Sequence, residues 1–339
     1  MSDQRGVTGP GNTVVLNYID PASGEETYVT RLSAPGLPPA EYMAWHELQR
    51  IGVPAEAVHG VHSDLEPSVL PGGYPRIFLS RTFPKAKLSC SHGYGGTAEE
   101  RAENVAKLQQ HAGLMASIAG GTAPPPMNRV PIPQDVRPVP PLPDHELGRQ
   151  LATVFGPQEV LRHPPEFVHG HRLLPESSKA TLAQAGLPAS VPFFFVADGP
   201  GNPPPGGLFT DVATHMRACG EDPGENVMNV LAEYVRIGTD GVYTIAVQCK
   251  GPDHLVGSVW AANPETGAGR YMNASVAALA RCLALLHVAR THLVDRDPAG
   301  AGDVLTGFQR QLAGIDATAV KDERTWWSLV IEQMWHGLF

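Results

Sequence analysis

The sequence contains few cysteines, few basic residues and few aromatic residues. Four cysteines in 339 residues are too few for a disulfide scaffold, so we expect reduced thiols and a cytoplasmic location. Lys plus Arg number 25 against 34 Asp plus Glu, which gives a net charge of −9. A chain this acidic lacks the basic surface expected of a nucleic-acid-binding protein. We therefore expect no nucleic-acid partner.

Long apolar runs are also missing. Residues 1–12 contain no apolar stretch of the kind found in a signal peptide. The longest apolar segment, Ala274–Leu286, is interrupted by Arg281 and is shorter than the ~20 residues that cross a bilayer. This segment is typical of a buried helix, and we expect no association with a membrane.

Proline and glycine, in contrast, are abundant, with 33 and 36 residues. Nine of the twenty residues in 124–143 are proline. Proline has no backbone donor and disfavours the helical conformation of the residue before it, so this stretch predicts a semi-rigid linker. The predicted organisation is a domain at 1–123, a linker at 124–143 and a domain at 144–339.

Hydrophobic periodicity and turn residues predict a different order of elements in each domain. In the first domain strands alternate with helices, which favours an α/β sheet layer. The last predicted helix of that domain, 97–118, carries a capping-box signature at Thr97 and Glu100. In the second domain helices flank a run of strands, which predicts an α+β fold.

Three short segments of the first domain carry polar groups suited to chemistry. They are Trp45-His46-Glu47, Ser63–Ser68 and Leu70–Pro75. With the strand–helix–strand order, residues 13–118 resemble the cytidine-deaminase-like fold of nucleic-acid and nucleotide deaminases from bacterial toxin systems. The resemblance implies a His or Cys and a Glu on the first helix. It also implies two cysteines around the start of the next helix, the first directly after a proline; together these ligands hold a zinc ion that activates water.

The sequence departs from that pattern at the metal ligands. Ser68 follows Pro67 where the family has its first cysteine, and Pro71 or Pro75 stands at the second cysteine position. Proline has no side-chain donor, and a serine hydroxyl is a poor zinc ligand. The usual His-x-Glu spacing is also shortened to the adjacent pair His46-Glu47. We therefore predict no bound metal and no cofactor.

Four residues remain that are able to act without a metal. His46 and Glu47 have the side chains for general acid–base catalysis, and Ser68 and Tyr74 supply hydroxyl donors. These four residues are the predicted catalytic site. The alternative is that His46 and Glu47 are retained only as part of the fold after the zinc site was lost.

The second domain resembles the SUKH superfamily of immunity proteins, in particular SUKH-4. The resemblance depends on Leu182–Pro188, Val235–Asp240, Gly257–Trp260, Asn273–Val276 and the Trp326-Trp327 tail. The resemblance implies a concave sheet that binds a partner. None of these motifs carries catalytic chemistry.

Three functional hypotheses follow. The first is a metal-free enzyme that uses the deaminase-like pocket for small-molecule chemistry such as cyclisation or addition. The second is a non-catalytic binding or immunity protein of a toxin system, with a protein partner on the SUKH-like domain. The third is a nucleotide deaminase with atypical zinc ligands. The first is favoured because a titratable pair persists where the thiols do not.

Overall fold

The structure is a computed structural model that describes residues 5–339. The chain forms two compact units, and each contains segments that are distant in sequence. The first unit comprises Met1–Pro131, Ala289–Gly307 and Val330–Phe339, and the second comprises Ile132–Val288 and Phe308–Leu329. The chain passes from one unit to the other within the predicted 124–143 linker. The domain limits 1–123 and 144–339 stay a prediction.

The first unit contains a four-stranded mixed sheet. Its strand order is β2-β1-β3-β4, with β3 and β4 parallel and the other neighbours antiparallel. The elements in chain order are β1 (Thr13–Ile19), β2 (Glu26–Leu32), α1 (Ala40–Arg50), β3 (Val58–Leu65), α2 (Pro75–Thr82), β4 (Lys87–His92) and α3 (Ala98–Ile118). After the first two strands, helices and strands alternate, as the sequence predicts, and α3 lies at the predicted 97–118.

One face of this sheet forms the hydrophobic core of the first unit. Side chains alternate between the two faces of a strand, and Val14 and Leu16 of β1 are fully buried against α1 and α2. On α1, Ala44 and Leu48 face the same core because they are spaced by one helical turn. The predicted capping box of α3 is confirmed: Thr97 accepts a hydrogen bond from the Glu100 backbone N–H, and the Glu100 carboxylate accepts one from the Thr97 N–H.

The second unit is built on a six-stranded antiparallel sheet in the order β12-β11-β10-β9-β8-β7, with short elements before it. These elements are α4 (Asp144–Phe155), β5 (Val160–Leu161), α5 (Pro165–His169), α6 (Glu176–Ala180), β6 (Leu187–Pro188), β7 (Ser190–Val191), β8 (Phe195–Ala197), α7 (Val212–Cys219), α8 (Glu225–Leu231), β9 (Tyr234–Thr239), β10 (Thr244–Gln248), β11 (Val259–Ala262) and β12 (Gly269–Asn273). Three C-terminal helices follow: α9 (Val276–Leu293), α10 (Pro298–Ile315) and α11 (Trp326–Trp335).

The tryptophans at the start of α11 anchor the core of the second unit. Trp326 and Trp327 are fully buried. Each indole N–H has a partner at 2.9 Å: Trp326 donates to the Asp240 carboxylate, and Trp327 donates to the Asn273 side-chain oxygen. A buried indole N–H without a hydrogen-bond partner would lower the stability of the fold. Asp240 and Asn273 supply the two partners, so both tryptophans can be buried in the apolar core.

Helix α9 is the one helix among residues 5–339 that is long and apolar enough to cross a membrane by length and composition. Half of its apolar window is buried inside the structure, as is typical of a core helix. It contains most of the segment that the sequence predicts to be a buried helix. The cytoplasmic location stays a prediction.

Candidate functional site

The two charged residues of the predicted catalytic site lie on the outer side of α1. His46 is exposed and lines neither of the two cavities described below. The Glu47 carboxylate forms ion pairs with Arg50 at 2.6 Å and with Arg31 at 3.1 Å. The hydrogen bond from Arg50 is the main cause that lowers the pKa of Glu47, and Arg31 adds to it. An ionised carboxylate that is held in ion pairs is a weak base. The catalytic role of His46 and Glu47 stays a prediction.

The two predicted hydroxyl donors are buried in the loop before α2. The Ser68 hydroxyl accepts a hydrogen bond from the Leu70 backbone N–H at 3.0 Å, which closes a local turn. Tyr74 is almost fully buried and has a φ of +48°. A bulky residue in the left-handed region is uncommon and strained, so the surrounding packing must hold this turn in place. The structure does not bring the exposed His46 to this loop.

The carboxylate that does face the loop is Glu41, in the first turn of α1, which the sequence analysis missed. Glu41 is buried, and Asn12 donates a hydrogen bond to it at 3.4 Å. Burial raises the pKa of Glu41 to about 7, against the smaller lowering effect of its hydrogen bonds. A cavity of about 10 Å³ is lined by Glu41, Asn12 and Ser68, among others, and has room for about one water molecule.

A sequence signal for Glu41 does exist. The segment Pro39-Ala40-Glu41 has the His-x-Glu spacing of the deaminase pattern, with proline in the place of histidine. The prediction of His46-Glu47 as the acid–base pair depends on the histidine of that pair. Glu41 also starts the stripe that continues through Ala44 and Leu48 on the buried face of α1. Helical periodicity therefore favours Glu41 over Glu47 as the inward-facing acid.

The residues at this site do not fit a zinc ion. With this spacing the three ligand positions carry Pro39, Ser68 and either Pro71 or Pro75, and none of these side chains is a good zinc ligand. Residues 5–339 contain no group of three or more His, Cys, Asp or Glu side chains that could hold a metal. The nearest thiol in sequence is Cys90, an exposed residue of β4. Partial desolvation of its sulfur raises its pKa. Zinc prefers a thiolate, which a raised pKa disfavours.

The last ten residues of the chain, Val330–Phe339 (the C-terminal segment), fill the space in front of this site. The Phe339 ring packs on Gly72 so closely that a Cβ there would lie 2.5 Å from two ring carbons. The Gln333 amide donates to the Pro71 carbonyl at 2.6 Å. The Ser33 hydroxyl donates to the Gly337 carbonyl at 2.8 Å. Part of the same segment lines the small cavity at Glu41.

Two buried polar pairs join the C-terminal segment to the rest of the first unit. Arg101 of α3 donates two hydrogen bonds to the Glu332 carboxylate, at 2.5 and 3.0 Å, and both side chains are nearly inaccessible to solvent. The Tyr94 hydroxyl lies 2.8 Å from Nδ1 of His336. Burial lowers the pKa of His336 to about 3 and raises that of Tyr94, so the tyrosine O–H donates to a neutral imidazole.

The second unit contains a buried polar cluster on β9. Arg236 donates two hydrogen bonds to Asp198, at 2.8 and 3.0 Å, and a third to Nε2 of His215 at 2.9 Å. Nδ1 of His215 donates to the Pro205 carbonyl at 2.8 Å. The Cys219 sulfur lies 3.7 Å from the same Nε2. Because that lone pair already accepts from Arg236, His215 is not available to deprotonate Cys219, and the cluster is structural.

Two family models match two parts of the chain. The family model of the SUKH-4 immunity protein matches residues 147–333, more than half of the chain. The chain belongs to the SUKH-4 immunity protein family. A second family model, described as Xanthomonas-like deaminase, matches residues 9–111. Searches of curated proteins and of solved structures returned no match.

The predicted fold class is confirmed for both parts of this SUKH-4 family member: a deaminase-like α/β domain is followed by a SUKH domain. The pairing of these two domains associates the chain with toxin systems. The match to the deaminase model covers the stretch that contains Glu41, Ser68 and Pro71. The site described above therefore lies within the deaminase-like domain.

We expect the buried carboxyl of Glu41 to make stability fall as pH rises. Its folded pKa of about 7 lies above the ordinary value of 4.5, so its contribution is complete below pH 4.5 and is lost by pH 7. At ~1.4 kcal/mol for each pKa unit, the loss is about 3 kcal/mol. The Glu41→Gln variant should lack this dependence and gain about 3 kcal/mol relative to wild type between pH 4 and pH 8.

Urea unfolding at both pH values measures this difference directly. The buried His336 has the opposite pH dependence, because its low folded pKa makes stability fall as pH falls from 6.5 towards 3. Wild type and Glu41→Gln both contain His336, so its effect cancels when their stabilities are compared. The matched control is Glu47→Gln, whose exposed carboxylate has a lowered pKa and should show no gain as pH rises. An equal pH dependence of wild type and Glu41→Gln would contradict the assignment of this carboxyl.

Proposed function

We propose that the chain is an immunity protein that binds and neutralises a toxin, and that its deaminase-like domain has no deaminase activity. The observation that carries this proposal is the C-terminal segment, which fills the deaminase-like pocket in the same chain. Phe339 occupies the space against Gly72, and the free volume beside Glu41 is only about 10 Å³. A nucleotide substrate needs a pocket of roughly 300 Å³ or more.

The side chains of the pocket support the same proposal. Deamination by this fold requires a metal-activated water, and Pro39, Ser68 and Pro71 do not hold a zinc ion. What remains is a single buried acid with a water-sized space. A domain that keeps its fold without its catalytic ligands is suited to a structural or binding role.

Charge supports a protein partner. The chain has a net charge of −9, whereas a toxin that acts on nucleic acid needs a basic surface to bind its substrate. Opposite charges on two partners speed association and favour the correct complex. The acidic immunity protein and a basic toxin are therefore electrostatically complementary.

A growth-protection assay tests the proposal. The full-length chain is co-expressed with toxin domains encoded in the same gene neighbourhood. We expect growth to be restored with at least one of them and a stable complex to be purified. Restored growth without a complex, or no protection from any of these toxins, would contradict the proposed function.

Metal content and deaminase activity form the second test. Elemental analysis of the purified chain is expected to find well below one zinc per chain, and cytidine or adenosine nucleotides should release no ammonia. Stoichiometric zinc together with ammonia release would instead establish a deaminase with atypical ligands.

A second candidate function is metal-free acid–base chemistry on a small molecule, and the near-neutral pKa of Glu41 favours it. In this case Glu41, rather than His46 and Glu47, is the residue in contact with the pocket. If the chain turns over a small molecule, loss of that turnover in Glu41→Gln, with turnover kept in His46→Ala and Glu47→Ala, would support an enzyme centred on Glu41. Activity lost in the latter two variants would support the site predicted from the sequence.

A further inference from the structure

The first unit contains a second and much larger cavity, of about 400 Å³, on the other face of its sheet. Val14 of β1 pairs with Ser63 of β3, and both point into the core. Their neighbours Thr13 and Asp64 therefore point to the opposite face, where they line the cavity together with Leu32, the partner of Thr13 on β2. A volume of this size lies within the range of about 300–1,000 Å³ found for ligand pockets.

The walls of this cavity are mainly apolar. Leu108 and Ala112, one turn apart on α3, form one side, and prolines including Pro124, Pro125 and Pro298 form another. None of the described residues that line the cavity is aromatic, so these walls offer no stacking surface for a nucleobase. Its preferred occupant is an aliphatic group.

The polar side chains on the wall are mostly engaged within the protein. Both ends of the Gln109 amide hold the proline-rich segment: the nitrogen donates to the Pro125 carbonyl at 2.6 Å, and the oxygen accepts from the Met127 N–H at 2.9 Å. The Ser33 hydroxyl donates to Gly337. These groups position the walls and are not available to a ligand.

The carboxylate of Asp64 is different. It makes no hydrogen bond or ion pair with any of the residues from 5 to 339, although it lines an apolar cavity. Arg296, which is basic and also among the described residues on the wall, is exposed and donates through Nε to the His292 carbonyl at 3.1 Å. A carboxylate beside apolar walls is best satisfied by a cation carried on an apolar stem.

We propose that this cavity binds the side chain of a lysine or arginine presented by the protein partner, with its aliphatic stem against Leu32 and Leu108 and its cation at Asp64. Lysine and arginine combine an apolar stem with a terminal charge, which matches the walls and the carboxylate. The source of the side chain rests on the proposed function, because a basic toxin supplies such residues. The chemistry of the cavity does not depend on it.

Matched small probes test the chemistry first. Hexylammonium, hexanol and hexanoate have the same alkyl chain and differ only in the head group, and their binding to the full-length chain is measured by calorimetry or NMR. We expect hexylammonium to bind about fivefold tighter than hexanol, because a hydrogen bond to a charged group is stronger than a neutral one. Asp64→Asn should abolish the preference and leave hexanol binding unchanged, whereas Asp253→Asn, at an exposed site outside the cavity, should change nothing. Equal binding of the three probes, or tightest binding of hexanoate, would overturn the proposal.

The growth-protection assay then tests the source of the cation. We expect Asp64→Asn to weaken protection and complex formation, with Asp253→Asn equal to wild type. If the probes bind as expected but Asp64→Asn protects fully, the partner side chain is ruled out and the cavity is a site for a free alkylamine. If wild type protects against no toxin, the proposed function fails, and the probe series still decides whether the cavity selects an alkyl cation.

Discussion

Replacing Glu332 by alanine is expected to lower the free energy of unfolding by about 3–5 kcal/mol, because the substitution leaves the buried Arg101 guanidinium without its counter-charge. Both hydrogen bonds from Arg101 to the carboxylate are lost, while the bond from its Nη1 to the Gly96 carbonyl is kept. Chemical unfolding of the full-length chain measures the effect.

Two further variants separate a charge effect from a general loss of contacts. Asp303→Ala breaks the exposed ion pair with Arg5, and we expect this to cost no more than ~1 kcal/mol. The double variant Arg101→Met, Glu332→Leu replaces both buried charges by apolar side chains of similar size and should recover most of the stability lost in Glu332→Ala. A double variant as unstable as the single one would show that the charge left unpaired is not the cause.

Deleting the C-terminal segment is expected to unfold the deaminase-like unit. The deletion removes Glu332 and the backbone carbonyls of Trp335 and His336, which accept hydrogen bonds from Gly9 and Gly11 at 2.7 and 3.2 Å. Several buried polar groups would lose their partners at once, each at a cost of about 1–3 kcal/mol or more. The total is comparable to the ~5–15 kcal/mol that stabilises a typical domain.

Hydrogen exchange resolved by segment measures this outcome. In the truncated chain we expect β1 and β3 to exchange at least a hundredfold faster than in the full chain. Removing only Leu338 and Phe339 is the matched control, because it empties the pocket at Gly72 but keeps the buried ion pair and the backbone hydrogen bonds. Wild-type protection of β1 and β3 in the truncated chain would mean that the deaminase-like unit folds without the C-terminal segment.

Local sequence patterns predicted the elements of the first unit well. The alternation in β1, the helical stripe of α1 and the capping box at Thr97 each depend on residues within a few positions of one another. The predicted loss of the zinc ligands also depends on single positions of the sequence, Ser68 and Pro71 or Pro75, and it stays a prediction. The resemblances to the SUKH and deaminase families are confirmed by the two family models.

The sequence only partly distinguishes Glu41 from Glu47 as the acid that faces the small cavity. Glu41 and Glu47 are on the same helix, and only the direction of each side chain separates a buried acid from a surface ion pair. Each residue along a helix turns the side-chain direction by about 100°, so the helix register assigns Glu41 to the buried face, whereas the catalytic role of His46 and Glu47 stays a prediction.

The sequence by itself determined the type and order of the elements and the two family resemblances, because each depends on neighbouring residues. Only the tertiary structure decided that the C-terminal segment packs against Pro71 and Gly72 and that Arg101 meets Glu332, 231 positions away. It also left Asp64 beside an apolar cavity. Such contacts depend on the path of the whole chain and on which buried polar groups can form hydrogen bonds with each other. Patterns of neighbouring residues do not contain this information.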